Sequence, residues 1–130
     1  MLLSLCGGLL TACAGAAPDT GPEVLETREG LASFYGKAFH GEETASGDTF
    51  DMHALEAAHP TYPFGTRVRV TNLENDRATE VRVVDRGPAG GPRQAGVIVD
   101  LSRGVARELQ FLEDGLVRVR LEVLEWGEAE

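Results

Sequence analysis

Apolar and polar residues alternate over much of this chain. In residues 66–71, Val68 and Val70 fall on one side while Arg67 and Arg69 fall on the other. Val81 and Val83 repeat the pattern against Glu80 and Arg82, and Val117, Val119, Leu121 and Val123 repeat it against Arg118, Arg120 and Glu122. A period of two sets one side of an extended chain against a core, so residues 66–71, 80–83 and 117–123 are predicted strands. Residues 30–35 and 96–100 are two further predicted strands, and Glu74-Asn75-Asp76 is the turn between the first pair. Two stretches have helical spacing instead. Residues 51–58 place Met52, Leu55 and Ala58 on roughly one face; in residues 102–110, Ser102 suits an N-cap and Val105, Ala106 and Leu109 share a face. Five or six short strands with two short helices and no internal repeat predict a mainly β chain closed into a small barrel.

Composition narrows the class. At 130 residues the chain has the length of one domain, and its 42% apolar and 25% charged residues describe a water-soluble body. The 16 glycines against only 6% aromatics favour short strands and turns over long helices. A net charge of −9 without clustered Lys and Arg gives no electrostatic footprint for DNA or RNA, so nucleic acid is excluded as a partner. The dispersed His40, His53 and His59 offer no zinc spacing, and no metal or cofactor is expected.

Residues 1–17 carry no charge and hold Leu2, Leu3, Leu5, Leu9 and Leu10. That apolar run falls short of the ~20 residues a membrane span needs but has the length of a signal-peptide core. Leu10-Thr11-Ala12-Cys13 resembles the bacterial lipobox, in which small residues precede a cysteine that is lipidated and becomes the first residue. Residues 1–12 are therefore expected to be a lipoprotein signal peptide (an ordinary secretory signal cleaved near Ala14–Ala17 is the alternative), residues 13–29 a lipidated N-terminus and flexible tether, and residues 30–126 the barrel domain. With Cys6 discarded and Cys13 acylated, no disulfide is expected. Ala14, where an aspartate would retain the protein in the inner membrane, implies an outer-membrane anchor facing the periplasm.

Three polar stretches could carry chemistry: residues 39–51, residues 57–65, and Val83-Val84-Asp85-Arg86-Gly87-Pro88, where an acid ends an apolar strand before a glycine-rich loop. An acid at a strand end, beside backbone that a ligand can approach, is where a general acid or base tends to sit. These stretches, in order, resemble the rare lipoprotein A family of septal-ring lytic transglycosylases. The matching blocks are Gly30-Leu31-Ala32-Ser33-Phe34-Tyr35-Gly36, Thr44-Ala45-Ser46-Gly47, Phe50-Asp51-Met52, Ala57-Ala58-His59, Pro63-Phe64-Gly65-Thr66, Val84-Asp85-Arg86-Gly87-Pro88 and Val99-Asp100-Leu101-Ser102-Arg103.

The resemblance implies a six-stranded double-psi β-barrel. It implies cleavage of the β-1,4 bond between N-acetylmuramic acid and N-acetylglucosamine in peptidoglycan, without water, leaving a 1,6-anhydro end. One carboxyl suffices, protonating the leaving oxygen and then drawing the proton from the sugar's own 6-hydroxyl, unlike the two carboxylates of hydrolases. By motif, Asp85 is the expected acid/base and Asp100 the second candidate, with His59 positioning the acid or donating to substrate. Asp48 stands where the family usually has Glu, one methylene longer. Tyr35, Thr44, Ser46 and Arg86 are the expected substrate-binding residues. Expected partners are peptidoglycan glycan strands, the membrane through Cys13, and division-site proteins. An expansin-like, non-cleaving glycan-binding lipoprotein is the other function this barrel implies.

Overall fold

The computed structural model describes residues 23–35, 39–88, 90–91 and 95–128. The expected signal peptide, Cys13 and most of the expected tether lie outside the described residues. The elements are β1 (Glu26–Tyr35), β2 (Glu56–Ala58), β3 (Arg67–Asn72), β4 (Ala78–Asp85), β5 (Val97–Ser102), α1 (Arg103–Glu108) and β6 (Val117–Glu125). The strands close in the order β1-β5-β2-β4-β3-β6, so no sheet edge is left open. Two neighbouring pairs, β1/β5 and β2/β4, run parallel; the other four junctions are antiparallel.

Alternation explains the walls. Val68, Val70, Val81, Val83, Val99, Leu101, Val117, Val119, Leu121 and Val123 point inward and are buried. Each such side chain contributes about 1.5–3 kcal/mol by leaving water. The intervening charges pair across strands on the outer surface, where Arg67 reaches Glu80 and Glu125 at 2.9 Å each and Arg69 reaches Glu122 at 2.9 Å. The exposed Arg67 pairs add little to stability.

Two expectations need correcting. The stretch 51–58, expected to be a helix, is not one. The side chain of Asp51 accepts the main-chain N–H of His53 at 2.9 Å, a local turn that competes with helix, and Glu56–Ala58 then extends as β2 between β4 and β5. Met52, Leu55 and Ala58 have helical spacing, but Leu55 is exposed while Ala57 and Ala58 are both buried. β1 also begins at Glu26, four residues before the expected barrel boundary, and Glu26 to Ala32 pair with β6.

Ser102 caps α1 as expected, its side chain accepting from the Val105 N–H, and Gly104, Val105 and Ala106 are buried beneath the 51–55 turn. Gly104 donates its N–H to the Met52 carbonyl at 2.7 Å, and a Cβ there would stand 2.5 Å from the His53 oxygen. Alanine normally stabilises a helix interior by about 1 kcal/mol over glycine. Gly104→Ala is expected to reverse that sign and destabilise by about 1–3 kcal/mol through overpacking. Urea denaturation checks it, and an unchanged or higher midpoint refutes the contact.

Candidate active site

Where the alternation is broken, the site appears. In β4, Val81 and Val83 face the core, and strict alternation would send Asp85 inward with them. The ladder with β2 instead pairs Ala57 with Val83 and Ala58 with Asp85, leaving Val84 as an extra residue. Such a bulge re-aims the side chain that follows it. In β5 the core residues Val99 and Leu101 leave Asp100 on the outside, and in β1 Ala32 leaves Ser33 and Tyr35 there. The pairings Ser33 with Asp100, Asp100 with Ala58, and Ala58 with Asp85 make one row across β1, β5, β2 and β4. Neighbouring strands lie about 4.8 Å apart. Asp85 and Asp100 thus flank Ala58 at one level.

Asp85 is held by main-chain donors. Its Oδ1 accepts the N–H of Ala45 at 3.0 Å and of Arg86 at 2.9 Å. The 44–48 loop that supplies Ala45 also docks through the Ser46 N–H on the Val84 carbonyl at 3.1 Å. The loop closes on itself, with the Thr44 N–H on the Asp48 carbonyl at 2.7 Å and the Thr44 and Ser46 hydroxyls 2.9 Å apart. Thr44 and Ser46, expected to bind substrate, therefore hold the loop against Asp85. The Asp48 carboxylate lies on the outer side of the loop, 3.3 Å from Arg82 and half-exposed.

Asp100 is set differently. The Ser33 hydroxyl donates to its Oδ1, and a side chain at Gly87 would begin 3.2 Å from its Oδ2. Gly87 has φ 149, a conformation that favours glycine, so the 86–88 turn can lie close over the carboxyl. Burial pushes the Asp100 carboxyl above the ordinary aspartate range; the Ser33 bond opposes this, and the charge of Asp85 adds to it. The two expected acids are therefore close enough to sense one another.

His59 and Arg86 join this row to the next loop. The His59 N–H donates to the Asp85 carbonyl at 3.1 Å. Its buried ring is stacked on Tyr62 at 3.6 Å, and its Nδ1 accepts the N–H groups of Thr61 and Tyr62 at 3.1 Å each. That donor pattern assigns the proton of the neutral ring to Nε2. Tyr62 in turn donates to Glu26 at 2.7 Å. Arg86, expected to meet substrate, donates to the carbonyls of His59 and Tyr62 at 3.2 and 2.9 Å and lies over the Phe64 ring, fastening this loop to the end of β4.

Three participants were not legible as such. Ser33 gains its role only through β5, 67 residues away in sequence. Glu56 was assigned to a helix, yet on β2 it sits two residues before Ala58 on the same outer face, and burial raises its carboxyl above the ordinary glutamate range. Tyr62 lies in the polar stretch 57–65, and its bond to Glu26 depends on where β1 runs. Among the described residues no group of three His, Cys, Asp or Glu side chains is placed to hold a metal ion.

The Asp100 geometry has a consequence for stability. A carboxyl whose folded pKa is raised favours folding below its unfolded value, about 3.9, and loses that contribution as pH climbs through the folded value. Asp100→Asn removes the buried charge. The variant is expected to match the parent in acid and to equal or exceed its stability at neutral pH, the gap opening above the ordinary aspartate range. Thermal denaturation at a series of pH values checks this, and a variant less stable at neutral pH than in acid, relative to the parent, refutes it.

Comparison with known proteins agrees with this geometry. A family model described as "Lytic transglycolase" matches residues 27–121. The chain is 47% identical over 104 residues to the endolytic peptidoglycan transglycosylase RlpA of Campylobacter jejuni, and 46% identical over 93 residues to the protein of the same name in Pseudomonas aeruginosa. Those matches cover 80% and 72% of this chain but only 36% and 26% of the relatives, so the chain spans about a third or less of their length. Among solved structures, the Streptomyces papain inhibitor superposes with TM-score 0.62 at 22% identity, covering 81% of this chain and all of the inhibitor. An expansin of Clavibacter michiganensis superposes with TM-score 0.52 at 17% identity, covering 80% of this chain and 53% of the expansin. At those identities the two structures attest the barrel alone. Sequence blocks, strand order and family match converge: the chain belongs to the lytic transglycolase family and is built as a double-psi β-barrel.

Proposed function

We propose that this barrel is the catalytic unit of an endolytic peptidoglycan lytic transglycosylase. The observation that carries the proposal is the row holding Asp85 and Asp100 on either side of Ala58, with one carboxyl biased to keep its proton and the other contributing charge beside it.

The chemistry needs one proton and no water. Asp100 gives its proton to O4 of the departing N-acetylglucosamine as the bond from C1 of N-acetylmuramic acid to that oxygen breaks. Asp85, fixed by Ala45 and Arg86, faces the positive charge that develops on the sugar ring. The 6-hydroxyl oxygen then closes on C1, and its proton passes to Asp85. Return of that proton to Asp100 resets the pair. The one-carboxyl scheme expected from the motifs thus becomes a shared task, with Asp85 still indispensable. His59 fixes the end of β4 through its main chain. Asp48, bound to Arg82, supports the loop that holds Asp85. A general acid or base contributes about 10²–10⁴-fold.

Asp85→Asn is expected to lower release of 1,6-anhydro products from purified peptidoglycan by at least about 100-fold with the barrel still folded. Mass spectrometry of the soluble products decides it. Reducing-end sugars from the parent protein indicate a hydrolase, binding without release indicates an expansin-like module, and an active Asp85→Asn removes Asp85 from the chemistry.

We also propose that Cys13 carries lipid and anchors the chain to the outer membrane facing the periplasm, close to its substrate, where division-site proteins are its expected neighbours. The support is the Leu10-Thr11-Ala12-Cys13 block followed by Ala14. Acyl chains anchor at about 0.8 kcal/mol per buried methylene, so no spanning helix is needed. Cys13→Ser is expected to move the protein from the membrane fraction to the soluble periplasmic fraction, and unchanged fractionation refutes the anchor.

A further inference from the structure

The residues expected to grip the glycan are otherwise engaged. Thr44 and Ser46 hold their own loop, Arg86 fastens the rim, and the Tyr35 hydroxyl is buried, its ring stacked on Phe50 at 4.5 Å. A groove of about 180 Å³ lies at the same rim, lined by Arg28, His59, Pro60, Thr61, Val97 and Ile98. It adjoins the aspartate row. His59 directly follows Ala58, which stands opposite Asp100, and Ile98 precedes Asp100 by two residues of β5, about 7 Å along the strand. Clefts that enclose a whole drug-sized ligand run to about 300–1,000 Å³, so this one fits a single sugar ring or a group attached to it.

The groove has an apolar lining and one cation. Gly30, two residues after Arg28 on β1, leaves room for the Ile98 side chain, since a Cβ there would stand 2.8 Å from Ile98 Cγ2. Arg28 is fixed by one nitrogen. Its Nε donates to Glu26 at 2.6 Å, and Glu26 in turn accepts the Tyr62 hydroxyl at 2.7 Å. Among the described residues the two terminal nitrogens of Arg28 make no other hydrogen bond. A guanidinium held at Nε keeps its outer edge, two parallel N–H groups, in the geometry that binds a carboxylate with both oxygens. An anion on the strand finds little else here. Asp85, Asp100 and Glu56 repel it from the neighbouring row, Arg82 is paired with Asp48 at 3.3 Å, and Arg86 donates to the carbonyls of His59 and Tyr62.

We propose that this groove is a subsite for a carboxylate carried by the peptidoglycan strand, with Arg28 as the residue that binds it. The inference rests on the transglycosylase reading for the identity of the strand. Such a carboxylate has two sources. One is the lactyl group of an N-acetylmuramic acid that bears no stem peptide. The other is the stem peptide, whose amide link removes the lactyl charge while its own acids supply others.

Calorimetric binding to the whole chain carrying Asp85→Asn, so that strands are not consumed, is the test. The probes are oligomers of equal length: bare peptidoglycan strands, the same strands with stem peptides, and chitin oligomers, which carry no carboxyl. Adding Arg28→Gln is expected to weaken binding of at least one charged strand by about tenfold or more and to leave chitin affinity within twofold. Loss on bare strands alone assigns the lactyl carboxylate, and loss on peptide-bearing strands alone assigns the stem. Arg28→Lys, which keeps the charge without the two parallel donors, should fall between. An equal loss on chitin, no loss on either charged strand, or no binding of any oligomer before the substitution overturns the proposal. Should Arg28→Gln fail to fold, the Arg28 side-chain NMR signals decide: they should shift when a charged strand is added and stay when chitin is added, and any other pattern overturns it. A parent protein that binds strands through Arg28 but releases no anhydro sugar defeats the transglycosylase reading and leaves the subsite standing.

Discussion

The bulge at Val84 is the constraint on which the rest of the site depends. Two residues of β4, Val84 and Asp85, stand opposite the single Ala58 of β2. Without the extra residue, Asp85 would follow Val81 and Val83 into a core of valines and leucines, where an unpaired carboxylate costs several kcal/mol. With it, the acid turns out to the row shared with Asp100. The bulge also presents the Val84 carbonyl to the Ser46 N–H, so the loop that supplies the Ala45 donor is fastened at the same spot. One backbone irregularity therefore both exposes the acid and builds its cradle.

Electrostatics follow from that placement. A row with two aspartates and a nearby glutamate repels itself, and the fold does not neutralise it fully: Asp100 and Glu56 are both raised chiefly by burial. Arg82 is drawn to Asp48 outside the row, while Arg86 donates to the carbonyls of His59 and Tyr62. Stability forgone at such a site is the usual companion of function. The outer wall formed by β3 and β6 shows the opposite design, with arginines and glutamates matched across strands.

The walls of the barrel were legible because β3, β4 and β6 are long enough for a period of two to show. β2 was not, since three residues cannot display a period and the turn before it mimics helical spacing. The start of β1 was hidden for another reason. Glu26, Thr27, Arg28 and Glu29 are polar and read as a tether, yet they pair with β6, and Glu26 receives the Tyr62 hydroxyl. At the site, Asp85 and Asp100 could be read because each lies in a local motif. Ser33, Glu56 and the burial of the Tyr35 hydroxyl could not, because each depends on which strand lies alongside, and closure of the barrel brings together residues far apart in the chain.

Parallel pairing explains why the acid and the histidine belong to one unit. β2 and β4 run in the same direction and end together, so the residues that follow them, His59 and Arg86, emerge side by side at one rim. The His59 N–H then continues the ladder onto the Asp85 carbonyl, and Arg86 closes back on the His59 and Tyr62 carbonyls. An antiparallel pair would have placed those ends at opposite rims. The stacked His59 and Tyr62 rings and the Tyr62 bond to Glu26 extend the same unit to the first residue of β1. Any displacement of the 59–62 loop is thus transmitted to the backbone that aims Asp85, which makes the orientation of the acid a property of the strand ends together and not of its own rotamer alone.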